Sequence, residues 1–270
     1  MKRLARVAEL PEFKEYREKE PQAAWEHMKN DGLNNGREIF QNTRLRLFES
    51  QGSLCAYCEI SVDVMNDPRG ARVEHFHPKS DDAGVNWNLV WDNLMGACSG
   101  NTVTDLEEPA YRAPPKKHLS CDAHKDHLIQ TGKLDEACEG RVLNPYDLPA
   151  FSKLFTVKQS SGELAPDVEA CEATPKFCES QAGTNVELVE NTINVLNLNC
   201  GRLCDARKTV VRQLNRQLQT EREAGKSKNQ AQRLLSDRHL SKRWPQFFST
   251  YRVILGNGFE EALQDVEYDG

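Results

Sequence analysis

Two cysteines separated by two residues, in Cys55-Ala56-Tyr57-Cys58, constrain this chain more than any other feature. One tight turn at that spacing presents two sulfurs to a single tetrahedral ion, and a closed zinc site then needs two further ligands. Cys98 and Cys121 are the candidates, because they follow the short segment from Glu74 to His77 at modest distance. The customary position three residues after Cys98 holds Asn101, so 22 residues intervene before Cys121. The chain has nine cysteines, an odd number that complete internal pairing cannot satisfy. In a reducing compartment clustered cysteines hold metal more often than one another. Ordinary buried thiols are the alternative reading for all four. Cys200 and Cys204 lie four apart on a helical face and fit core packing or a second site, while Cys138, Cys171 and Cys178 have no comparable context. His118, His124 and His127 stand near Cys121 and are substitute ligands if it is not one.

Apolar residues recur at helical spacing from Pro11 to Met28 and from Gly36 to Gln51, with turn signals between, which predicts two helices. Ala71 to His77 mixes apolar and polar residues as a half-buried strand does, and Pro78 ends it. A helix is expected from Trp87 to Ala97, a long loop from Ser99 to Ser120 and a short helix from Cys121 to about Leu128. A strand near Leu154 to Val157 interrupts a weakly patterned stretch, and the helical signal returns from Asn185, with Leu203, Val210, Leu214 and Leu218 on one stripe. The acidic end from Glu260 to Asp269 is expected to fray in part. The fold class read from this pattern is α+β and mainly helical. Residues 1–52 form a helical region, 53–150 a zinc-stapled module and 151–270 a mainly helical region for substrate or partner.

A net charge of -6 argues against a surface that clings everywhere to nucleic acid. Between Arg202 and Arg243, however, twelve Lys and Arg face four acids, a local balance of +8. That stretch is either a solvated helical face or a track for phosphates. The chain shows no apolar run of the roughly 18 residues that would span a bilayer, and its basic start has no apolar segment behind it. A soluble, cytoplasmic protein is expected. No glycine-rich phosphate loop is present, so nucleotide hydrolysis is not expected of this chain.

Chemistry concentrates between residues 55 and 125. Glu74-His75-Phe76-His77-Pro78-Lys79-Ser80 is followed by Trp91-Asp92-Asn93-Leu94 leading to Cys98, and then by Cys121-Asp122 and Lys125. With the C-x-x-C in front, these residues resemble the HNH (ββα-metal) endonucleases. The extended Glu-His-Phe-x-Pro-Lys-Ser form, the lengthened span to Cys121, and Ile193-Asn194-Val195-Leu196-Asn197-Leu198-Asn199 are similar to the PtuB-type nucleases of Septu and retron-associated anti-phage systems.

The resemblance implies a central ββα-metal module with structural Zn²⁺ on Cys55, Cys58, Cys98 and Cys121. It also implies a catalytic Mg²⁺ or Mn²⁺ on Glu74 and Asp122, whose oxygens suit hard ions. His75 falls on the general base, a role imidazole suits near neutral pH. Asn93 falls on the middle residue of the signature, which braces the loop carrying the base. Asp122 stands where many relatives carry His or Asn. His77, Lys79 and Lys125 are candidates for phosphate contact. The cut expected by analogy leaves a 5′-phosphate and a 3′-hydroxyl. The implied partners are a nucleic-acid substrate, DNA or RNA, a PtuA-type ATPase, and a retron reverse transcriptase with its RNA and DNA. Two other classes stay open on the residues alone: a zinc-stapled adaptor that binds without cutting, and an enzyme acting on a small phosphoester.

Overall fold

The computed structural model describes residues 1–80, 84–102, 118–137, 139–177, 180–241 and 244–270. The expected loop from Ser99 to Ser120 therefore lies mostly outside the described residues, as do Cys138, Cys178, Lys242 and Arg243. The protein is α+β, mainly helical, with two small antiparallel sheets among the described residues.

The N-terminal region holds three helices where the periodicity predicts two: α1 (Pro11–Lys19), α2 (Trp25–Asn30) and α3 (Gly36–Ser50). Pro21 is the reason, since proline disfavours helical backbone in the residue before it, and α1 ends at Lys19. In α3, Ile39, Thr43 and Leu47 recur every four residues and are buried. They pack with Phe13 and Tyr16 of α1, Trp25 and Met28 of α2, and Leu89, Trp91 and Leu94 from the centre of the chain.

The predicted strand is present as β1 (Ala71–His75). The expected helix from Trp87 to Ala97 is absent. Two 3-10 turns, Trp87–Leu89 and Trp91–Asn93, lead directly into β2 (Leu94–Cys98). β2 pairs antiparallel with β1, Glu74 facing Met95 and Val73 facing Gly96. All five residues of β2 are buried, so its apolar pattern has no polar alternation to distinguish it from a buried helix. Gly96 is needed where it stands, because a Cβ there would lie 2.9 Å from the Phe48 ring of α3. Helix α4 (Cys121–Gln130) follows, and packs against β2.

The C-terminal half contains β3 (Phe155–Val157) paired with β4 (Leu164–Pro166), then α5 (Val168–Ala173), α6 (Asn185–Val195), α7 (Gly201–Glu223), α8 (Lys228–Leu240) and α9 (Phe248–Asp265). Strand β4 and helix α5 were not signalled by the sequence pattern. Leu203, Val210 and Leu214 of the expected α7 stripe are buried, and Leu218 packs at its edge. The chain end is not frayed: Tyr268 is buried and stacks on Phe248, and Asp269 pairs with Arg3. No described helix is long and apolar enough to cross a membrane.

Candidate active site and metal centre

Cys55 and Cys58 lie on a closed turn in which Cys55 N donates to Ile60 O at 2.9 Å and Glu59 N donates to Cys55 O at 3.1 Å. Cys98 ends β2, and Cys121 opens α4 with left-handed backbone, φ 56°. For a non-glycine residue that conformation costs on the order of 1–3 kcal/mol. Its amide offsets part of this by donating to Leu196 O at 2.8 Å.

The four sulfurs lie within 4.8 Å of one another and all four residues are buried. Cys55–Cys121 is 3.8 Å, and Cys58–Cys98 and Cys98–Cys121 are both 3.7 Å. A tetrahedron with Zn–S bonds of about 2.3 Å has edges of about 3.8 Å, so the cage has the dimensions zinc requires. The amides of Cys98 and Gly100 donate to the sulfurs of Cys55 and Cys98 at 3.3 and 3.4 Å, as thiolate acceptors favour. Burial pushes the Cys58 and Cys121 thiols well up, whereas hydrogen bonds from Cys121, Cys55 and Cys58 hold Cys98 well below the usual thiol range.

Arg202, counted in the basic stretch, stands beside this cage. Burial works against its charge, but Cys58, Cys200, Cys98 and Cys121 outweigh that and raise its pKa. Its side chain donates to Ser120 Oγ. Arg207 is also internal, held by the carbonyls of Gly162 and Leu198. Lys208, Lys226, Arg233 and Arg238 pair with acids. Those acids, Asp205, Glu221 and Asp237, belong to the same stretch and are already subtracted in its balance of +8, so among the described residues only Arg202, Arg207 and the Arg233–Asp265 pair draw on the excess. Cys200 and Cys204 are buried, and among the described residues the only cluster of three or more potential metal-ligating groups is the four-cysteine cage.

Next to the cage, β1 and α4 enclose a cleft of about 320 Å³ lined by Glu74, His75, Lys79, Asp122, Lys125 and Asp126, among others. Glu74 Oε1 accepts from Tyr57 Oη at 3.1 Å, so the residue between the paired cysteines ties the cage to the cleft. Lys125 donates to the same oxygen and lies 3.6 Å from Asp122 Oδ1. Burial first, then the Asp122 charge, holds the Glu74 carboxyl well above the usual range despite Lys125. Buried Glu74 and half-buried Asp122, side by side with one lysine between them, are a fitting donor set for a hard divalent ion, with water and substrate oxygens completing its shell.

His75 Nε2 lies 3.0 Å from the Asn88 carbonyl oxygen. A carbonyl can only accept, so Nε2 carries the proton and Nδ1 is the ring's acceptor. Burial pushes the imidazole pKa down to about 4, which keeps it neutral at pH 7. Trp25 of α2 packs edge-on against the ring at 4.8 Å, and Asn88 Oδ1 accepts from Trp25 N at 3.0 Å. Asn93 Oδ1 accepts from His77 N at 2.6 Å, and its amide donates to His77 O at 3.0 Å and Trp87 O at 3.3 Å. It touches backbone on the loop after His75 and does not line the cleft. His77 pairs with Glu139 at 2.6 Å and packs on Trp87.

Sequence reasoning missed Tyr57, Trp25, Asn88, Asp126 and Arg202. Asp126 carried a local signal, standing four residues after Asp122 on the same helix face, and Tyr57 stands inside the Cys55–Cys58 turn. Trp25, Asn88 and Arg202 reach the site from other segments.

No family profile matches the chain. It is 33% identical over 266 residues to the Escherichia coli protein named "Retron Ec83 putative HNH endonuclease", covering 94% of this chain and 93% of that protein.

Proposed function

The chain belongs to the HNH endonucleases of retrons, and on that premise we propose that it is the metal-dependent effector nuclease of an anti-phage system, with residues 53–150 as its ββα-metal module. The single observation carrying this reading is the convergence of His75, Glu74, Asp122 and Lys125 on one cleft beside a zinc-sized cysteine cage.

In the proposed reaction, His75 takes a proton at Nδ1 from the attacking water, and its Nε2–H stays on the Asn88 carbonyl throughout. Negative charge brought by the phosphodiester favours the protonated ring and so strengthens a base that burial has weakened. Glu74 and Asp122 would hold Mg²⁺ or Mn²⁺, which when bound supplies Lewis acidity to the phosphate and leaving oxygen. Lys125 offsets the repulsion between those carboxylates and keeps them together. Lys79, on the cleft's rim, is placed to meet phosphate. Asn93 is a positioning residue that fixes the loop after the base. The α1–α3 region carries Trp25 against the base, and 151–270 supplies Leu196, Asn197 and Arg202 behind the cage, with its outer faces left for substrate or partners. A PtuA-type ATPase and a retron reverse transcriptase with its RNA and DNA remain the proposed partners, in the cytoplasm.

The test is incubation of the purified, zinc-loaded protein with plasmid DNA and with structured RNA, with Mg²⁺ or Mn²⁺ and with EDTA, and with ATPase partner added in parallel. Cleavage of one polymer, abolished by EDTA and restored by excess Mg²⁺, is expected. A protein that binds polymer but never cuts it, alone or with partner, would be an adaptor. Asn93→Ala is expected to lower kcat about 10- to 100-fold, the cost typical of losing an orienting hydrogen-bond partner, with KM little changed. An equal loss in KM would mean that Asn93 serves binding instead.

A further inference from the structure

We propose that Arg72 binds the phosphate adjacent to the scissile one, so that a second phosphate subsite adjoins the cleft and the protein selects polymers over isolated phosphodiesters. The inference rests on the nuclease reading and names the part of that site which recognises substrate.

Side chains alternate along a strand, so Arg72 and Glu74 share one face of β1 at a separation of about 6.5 Å. Their partners in β2 are Ala97 and Met95. One guanidinium nitrogen donates to Thr102 Oγ1 at 2.6 Å, and Thr102 is itself anchored, its Oγ1 donating to Ser99 O at 2.8 Å. This fixes the side chain's direction while leaving Nε and the other terminal nitrogen without a hydrogen-bond partner among the described residues. Arg72 forms no ion pair with any described residue, unlike Arg3, Arg6 and Arg17, which all do.

The charge of Arg72 reaches Asp126 on the cleft wall, as do those of Lys125 and Lys79. Arg72 and Lys79 sit at the two ends of β1 and its following loop, on either side of Glu74 and His75. The cleft also carries Glu74, Asp122, Asp126 and Glu136 in a chain of net charge -6, so a polyanion needs cations at its rim to approach. A guanidinium fork with unused donors suits a phosphate better than an ammonium does.

Two readouts test this. Labelled oligonucleotide binding to the cleavage-silenced His75→Ala protein is followed by anisotropy across a salt series, with and without Arg72→Gln. The added substitution is expected to weaken binding about 10-fold and to reduce the slope of log K against log salt by about one, the signature of one lost phosphate contact. Arg72→Lys should recover part of the affinity and the full slope. In the cleavage-competent protein, Arg72→Gln should lower kcat/KM at least 10-fold more on an oligonucleotide than on bis(p-nitrophenyl) phosphate, which has a single phosphate. An unchanged affinity and slope, or equal losses on both substrates, overturns the proposal. If the unsubstituted protein hydrolyses neither substrate, alone or with the ATPase partner, the nuclease reading fails and the salt series alone decides whether Arg72 contacts phosphate.

Discussion

Replacing His75 by alanine is expected to slow polymer cleavage by about 10²- to 10⁴-fold at pH 7, the range a positioned general base contributes. Among the described residues, His75 is the only histidine lining the cleft. His77 is engaged by Glu139 and Trp87, and His124 Nδ1 is bonded to Val195 O at 2.8 Å on the far side of α4. Lys125 is committed to Glu74 and Asp122. The ring is held from both sides, by the Asn88 carbonyl and by the edge of Trp25. The loss should therefore fall on kcat, with zinc content unchanged. Single-turnover cleavage beside elemental analysis measures both. A variant that cuts within 10-fold of the unsubstituted protein would move the base to another residue.

The second large effect is on folding. Cys55→Ser with Cys58→Ser is expected to abolish zinc binding and cooperative unfolding together. Structural zinc contributes an apparent 10–16 kcal/mol or so, comparable to or larger than the whole stability of a typical domain at about 5–15 kcal/mol. Nothing nearby would compensate. The cage joins the turn after α3, the end of β2 and the start of α4, and α4 carries Asp122 and Lys125. Without the ion, the two remaining buried thiols, Cys98 and Cys121, and Arg202 are left with mismatched charge, and the strained backbone of Cys121 loses its reason. The readouts are zinc per chain, near-ultraviolet circular dichroism and urea unfolding. A variant that keeps the unfolding midpoint would show that the cysteines are ordinary core packing.

Much of the site was legible because its chemistry is local in the chain. The Cys55–Cys58 spacing permits one turn with two sulfurs. Glu74 and His75 are neighbours in a strand that Pro78 ends, and Asp122 and Lys125 are one helical turn apart, so each pair was visible before the fold was known. Cys98 and Cys121 were legible as candidates only, since no local rule spans the 22 residues between them.

The misread element is instructive. Trp87 to Ala97 has apolar residues at spacings a helix would use, yet becomes two turns and a strand, because β1 offers hydrogen bonds and α3 offers Phe48 to close over Gly96. The segment Ile193 to Asn199 likewise read as a family motif without a stated task. In the fold, Leu196 O accepts from Cys121 N, and Asn197 donates to Leu119 O at 2.7 Å, so it is the rear support of the cage. In the basic stretch, Arg207 is buried and Arg202 is half-buried beside the cage, so two of its twelve cations turn inward, which no local pattern signalled.

The amino-acid sequence by itself determined the reactive groups and their local pairings, because spacing of two to four residues is set by backbone geometry. Tertiary structure alone decided which distant side chains tune them. Trp25 reaches His75 across 50 positions, Tyr57 reaches Glu74 across 17, and Arg202 reaches Ser120 beside the cage across 82. Such contacts follow from how whole elements pack, and packing depends on burial summed over the chain, which no window of neighbouring residues contains.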